Sequence, residues 1–189
     1  MRIWRMIIVV CLLCGMAGQG VEAAPARLAL IIGNGGYHEA PLTNPVNDAQ
    51  DMAEVLQQLD FEIILKIDAD RRRMVEAIQE FGRRLPDGGI GLFYYSGHGV
   101  QAKGVNYLLP TNANIQQEAD VEFEAVSANR ILAHMEEANQ HGVNLVILDA
   151  CRNNPFKGSM KSVASGLAPM EARGSLIAYA TAANAVALG

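Results

Sequence analysis

Two stretches of the 189-residue chain carry side chains able to do chemistry together: YYSGHG (94–99) and LDAC (148–151). His98 sits between Gly97 and Gly99 at the end of one apolar run, and Cys151 ends another. A thiol near neutral pH is mostly protonated and attacks well only when its pKa is lowered or a neighbour takes its proton. An imidazole suits that exchange at neutral pH. Glycines beside the histidine let the backbone approach a substrate closely. The N–H groups of Gly99 and Cys151 could then point at an oxyanion developing on an attacked carbonyl. Nucleophile, base and two donors at one edge are what acyl transfer requires.

Asp149 is a poor base for this thiol. Residues two apart on a strand share a face, about 7 Å apart along the chain. A carboxylate near a thiol also raises the thiol's pKa. Of the other histidines, His38 follows the first apolar run in a glycine-rich loop and could line the same crevice. His134 and His141 lie in or just after a helical stretch with acidic neighbours and read as surface residues.

The cysteine count sharpens the assignment. Residues 1–23 read as a secretory signal: a positive MRIWR, an apolar MIIVVCLLCGMAG too short to span a bilayer, and VEA before the cleavage point. The expected location is secreted or periplasmic, with no membrane attachment after cleavage. Cys11 and Cys14 would leave with the signal, and Cys151 would be the mature chain's sole cysteine. A lone thiol in an exported protein forms no internal disulfide and asks for another role.

Elements able to position these residues alternate along the chain. Apolar runs at 27–34, 61–68, 89–99, 144–151 and 174–182 read as strands. Helical spacing is found over 44–60, 71–86 and 127–142, the last with Ser127 as N-cap and Gly142 as stop. The DADRRR cluster (68–73) opens the second helix as a solvated face. Strands apolar throughout, alternating with helices, predict an α/β three-layer sandwich around a mostly parallel sheet. Right-handed crossovers then gather the strand ends GNGGYHE, YSGHG and DACRN along one edge, where such folds bind ligands. Residues 152–174, rich in Gly, Ser, Pro and Asn, predict a long mobile loop carrying Lys157, Lys161 and Arg173.

Composition excludes some classes. Half the residues are hydrophobic, 19% are charged and the net charge is -5. No basic run is long enough for a nucleic-acid surface. A nucleotide-binding reading of GNGGYHE is weak, because no G-x-G-x-x-G is completed and no Lys-Ser/Thr follows.

His98 and Cys151 in this order, 53 residues apart, on strands that end together, resemble the caspase-like cysteine peptidases (peptidase C14). The similarity is nearest to bacterial metacaspase-like members and runs from RLALIIGN to GSLIAYATA. It implies that Cys151 is the nucleophile and His98 the proton carrier, with Gly99 and Cys151 supplying the oxyanion amides. It also implies that Asp149, Ser96 and Asp48 line an acidic pocket. Since LTNPVNDA offers no arginine to accept an aspartate, cleavage of protein or peptide substrates after Arg or Lys is expected. Self-cleavage in the 152–174 loop is a further expectation. The sequence itself requires no cofactor and no metal; calcium is used by some relatives, but no ligand set can be mapped. Family members continue past the fifth strand, so the domain at 24–189 is expected to lack its last strand. A non-catalytic caspase-like binding or regulatory module is the alternative, and it is disfavoured because both His98 and Cys151 are kept.

Overall fold

The computed structural model describes residues 26–151, 167–172 and 174–180. The expected signal segment, most of the 152–174 loop with Lys157, Lys161 and Arg173, and the residues after 180 lie outside the described residues. The side chain of Cys151 lies outside them too.

Five strands form a parallel sheet. β1 (Arg27–Gly33) is flanked by β2 (Glu62–Ile67) and β3 (Ile90–Ala102). β3 continues to β6 (Val143–Cys151), and β6 to β7 (Ser175–Tyr179). The chain leaves β1 in one direction to β2, then crosses back over β1 to β3. This reversal puts helices on both faces. α1 (Pro45–Gln58) covers one face, where Ala49, Ala53 and Leu56 pack on Ala29, Ile31, Leu92 and Tyr94. α2 (Arg71–Arg84) and α4 (Ala128–Ala138) cover the other, where Phe81, Ile131 and Met135 pack on Leu30, Phe93 and Leu148. The central strands β1 and β3 are buried on both faces and read as unbroken apolar runs, whereas the edge strands β2 and β7 keep exposed positions. The expected three-layer α/β sandwich is the fold observed.

The structure differs from the sequence reading in two instructive places. β3 was expected to end at Gly99 but runs on to Ala102, because it gains a second partner. It turns at Lys103 and Gly104, both at positive φ (50° and 80°), and returns antiparallel as β4 (Val105–Leu108). Two residues at positive φ are the tight hairpin geometry that matches strand twist. β4 in turn pairs with the two-residue β5 (Val126–Ser127), after a short helix α3 (Val121–Glu124).

The second difference is the end of α4, at Ala138 and not near Gly142. Asn139 caps it and turns its side chain inward, donating to Gly89 O at 3.1 Å and to Asn144 Oδ1 at 2.9 Å. Gly142 serves close packing: a Cβ there would lie 2.1 Å from Gly89 O. Ser127 does occupy the N-cap position, but its side chain makes no capping bond.

Candidate active site

The reversal of strand order opens a crevice where β1, β3 and β6 end side by side. Asn34, just past β1, is fully buried and knits this edge together. Its N–H donates to Ser96 O at 2.9 Å, its Nδ2 to Leu109 O at 3.1 Å, and its Oδ1 accepts from Ala69 N at 2.9 Å.

His98 stands in this crevice, 3% exposed. Its Nε2 lies 2.7 Å from Ala40 O. A carbonyl oxygen only accepts, so this contact selects the Nε2–H tautomer and leaves the Nδ1 lone pair free. Nδ1 is buried with no hydrogen-bond partner among the described residues. Burial depresses the imidazole pKa, and the Ala40 contact only partly opposes it. A neutral ring whose Nδ1 has no partner among the described residues has a lone pair able to accept a proton.

Two tyrosines hold that ring's backbone. The His98 N–H donates to Tyr37 Oη at 3.0 Å, and Tyr95 Oη donates to His98 O at 2.7 Å. Tyr37 Oη passes its own hydrogen to Leu109 O at 3.1 Å. Burial raises the Tyr37 hydroxyl beyond the ordinary phenol range, so it stays a donor. Its ring also tilts against the imidazole at 4.5 Å between centroids. Gly97 is needed for this closeness, since a Cβ there would sit 2.7 Å from both hydroxyl oxygens.

Cys151 is the register partner of His98 across β3 and β6, and is the last residue of its strand. The same pairing sets Ser96 opposite Asp149. Gly99 is buried; a Cβ there would meet the Ala150 Cβ at 2.9 Å, so a side chain would push β6 away.

Beside this pair the structure gathers the three residues named from sequence as an acidic pocket. Asp149 is half-buried and accepts from Tyr94 Oη at 3.5 Å. Ser96, opposite Asp149 in the register, is buried. Burial raises the Asp149 carboxyl above its ordinary value, and the charge of Asp48, on the first turn of α1, raises it further. The Tyr94 hydroxyl is raised for the same reasons: burial, then Asp149, then Asp48. Among the described residues neither aspartate has an ion-pair partner.

The glycines of GNGGYHE do not form a phosphate cradle. The N–H groups of Gly35 and Gly36 both donate to Asp68 Oδ1, at 2.8 and 2.7 Å. A carboxylate already fills the place an anion would take. Among the described residues there is no cluster of His, Cys, Asp and Glu suited to a metal ion, and no helix long and apolar enough to cross a membrane.

A family model described as the caspase domain of peptidase C14 matches residues 26–188. The chain belongs to the caspase-domain family. A mouse relative of this caspase domain, mucosa-associated lymphoid tissue lymphoma translocation protein 1 homolog, is 34% identical over 134 residues, 70% of the chain. Its human counterpart is 34% identical over 130 residues, 68% of the chain. The chain spans only 16% and 15% of those two proteins. Among solved structures, protein GSU0716 from Geobacter sulfurreducens superposes with a TM-score of 0.56 at 20% identity, covering 68% of this chain and 52% of that one. That likeness shows the fold.

Within the caspase domain, His38 and His141 fall as read, whereas His134 is less exposed than the surface position expected for it. His38 is exposed and lines a cavity beside His98. His141 is exposed and pairs with Asp87 at 2.7 Å, while His134 is half-buried on α4. What the sequence reading missed is the support: Tyr37, Tyr94, Tyr95, Asn34, Asp68 and the Ala40 carbonyl. Tyr94 and Tyr95 were within reach of it, because they stand in the same motif as His98.

Proposed function

We propose that this caspase-domain chain is a cysteine endopeptidase that cleaves after Arg or Lys, as a metacaspase-like member of its family. The observation that carries the reading is the His98 ring: oriented by Ala40 O, held toward the neutral form by burial, with Nδ1 unpartnered among the described residues, on the residue in register with Cys151.

In the proposed reaction His98 Nδ1 takes the proton from the Cys151 thiol as sulfur attacks the scissile carbonyl carbon. The carbonyl electron pair moves onto oxygen, and the N–H groups of Gly99 and Cys151 stabilise that oxyanion. As the C–N bond breaks, His98 returns its proton to the leaving amine. Water then attacks the thioester while His98 takes a proton from it. Collapse releases the carboxylic acid, and the proton returns to the thiolate. Ala40 O steadies the imidazolium at each stage, in the place a third carboxylate holds in other triads.

The preference for Arg or Lys is supported by Asp48 and Asp149. Two carboxylates near each other, with no cation paired to them among the described residues, present a site that a guanidinium or ammonium group would neutralise. Residues 1–23 support export from the cytoplasm, with cleavage after Ala23.

The test is hydrolysis of fluorogenic peptides ending in Arg, Lys or Asp, with and without calcium, by wild type and Cys151→Ala. Turnover after Arg or Lys that disappears in Cys151→Ala is the expected result. Turnover after Asp would retain the peptidase and remove the acidic-pocket roles. A folded wild type that turns over none of the peptides would leave a binding or regulatory module.

A further inference from the structure

A cavity of about 240 Å³ lies between the loop after β1 and the loop after β4. Its walls include His98 and Ala40, the proposed base and its orienting carbonyl, yet none of Asp48, Ser96 or Asp149. It is smaller than the roughly 300–1,000 Å³ typical of drug-sized ligand sites. It suits one or two side chains better than a cofactor. The buried Tyr37 and Leu109 and the half-buried Ala113 give it an apolar floor, while His38, Glu39 and Asn112 stand exposed at its rim.

The placement gives direction. Asp149, Ser96 and Asp48 come from β6, β3 and the start of α1, whereas the cavity is built from His98 and the loops after β1 and β4. His98 borders this cavity and is also the register partner of Cys151. A peptide with its basic side chain at the aspartates and its scissile carbonyl at Cys151 brings its leaving amine to His98. The next residue then enters the region this cavity occupies. We infer that the cavity is a leaving-side specificity subsite, which takes an apolar side chain from the residue after the scissile bond and disfavours an acidic one through Glu39. The inference rests on the peptidase reading.

The experiment uses internally quenched peptides identical except for the residue after a common Arg: Gly, Leu, Phe, Asp or Lys. The readout is the ratio of kcat/KM values within each enzyme preparation, which does not depend on the fraction folded. Wild type should favour Leu or Phe over Gly by about 10-fold, in the range one or more buried methylenes supply. Ala113→Phe, which fills the floor, should bring that ratio close to one. Glu39→Lys, on the exposed rim, should move the Asp-to-Lys ratio toward Asp by several-fold, and it decides the matter if Ala113→Phe fails to fold. A wild type with equal rates for Gly, Leu and Phe, or ratios unmoved in the variants, overturns the subsite and leaves the peptidase standing. Failure of wild type to cleave any peptide after Arg overturns both.

Discussion

His98 and Ala40 are joined by a 2.7 Å contact from the imidazole Nε2 to a backbone carbonyl oxygen. The partner is main chain, so replacing the Ala40 side chain does not by itself remove it, and no pH within the working range changes its charge. The protonation of His98 is therefore governed mainly by burial, which favours the neutral ring. A depressed pKa keeps the base unprotonated to a lower pH than an exposed imidazole, near 6.5, would allow. The acid limb of kcat/KM is expected below that value, measured with an Arg substrate between pH 4.5 and 8. His98→Ala should lower kcat by at least about 10⁴-fold, as loss of the proton carrier does in related dyads and triads.

The Asp48–Asp149 pair sets function against stability. Asp149 has its folded pKa raised, so between the unfolded and folded values the native state binds more protons than the unfolded chain. Stability from this group thus increases as pH falls through the folded pKa and is lowest at neutral pH. Asp149→Asn removes that penalty and should raise Tm at pH 7. In the proposed pocket the same change takes one carboxylate from a substrate arginine, which should cost on the order of 10²-fold in kcat/KM for Arg substrates. Thermal melts at pH 5 and 7 beside Arg-peptide kinetics check both halves. A lower Tm with unchanged kinetics would mean that Asp149 serves only the structure of β6.

Tyr37→Phe separates positioning from chemistry. The hydroxyl accepts from the His98 N–H and donates to Leu109 O, and its loss leaves both groups buried without that partner. The stability cost is about 1–3 kcal/mol by the usual penalty for such groups. If the hydroxyl also fixes the imidazole, kcat should fall by roughly 10- to 100-fold, the scale of a small misplacement, with KM little changed. A stability loss with kcat intact would confine Tyr37 to packing.

The parallel sheet was legible because its central strands are buried on both faces, which leaves long apolar runs such as RLALIIG and IGLFYY. His98 and Cys151 stood out because each interrupts such a run at its carboxyl end. The hairpin beyond His98 was not legible. Its turn is Lys103-Gly104, and lysine at positive φ carries no strong local signal. The second tyrosine contact on His98 was hidden for a different reason. Tyr37 is 61 residues away in sequence and reaches His98 only because β1 and β3 are neighbours. Pairings set by topology are invisible to periodicity, whereas residues two apart on one strand, such as Ser96 and His98, are not.

Asp68 offers a test of how the loop after β1 is held. Its Oδ1 accepts both the Gly35 and Gly36 N–H groups, and so anchors the start of the loop that carries Tyr37 and Ala40 to the crevice. Asp68 itself has φ +46°, a region that Asn and Asp tolerate better than most residues. Asp68→Asn keeps an acceptor oxygen and the favoured backbone, whereas Asp68→Ala loses both. The alanine variant should be destabilised by about 2–4 kcal/mol, from two charge-assisted bonds and the backbone preference. Its kcat should drop by at least 10-fold as Ala40 O moves off Nε2, and its acid limb should shift as the imidazole changes surroundings. The asparagine variant should retain most of the activity and an unshifted limb. Equal loss in both would show that the negative charge of Asp68, and not its acceptor geometry, organises the loop. Equal retention would show that the loop is held by Tyr37 and Asn34 alone.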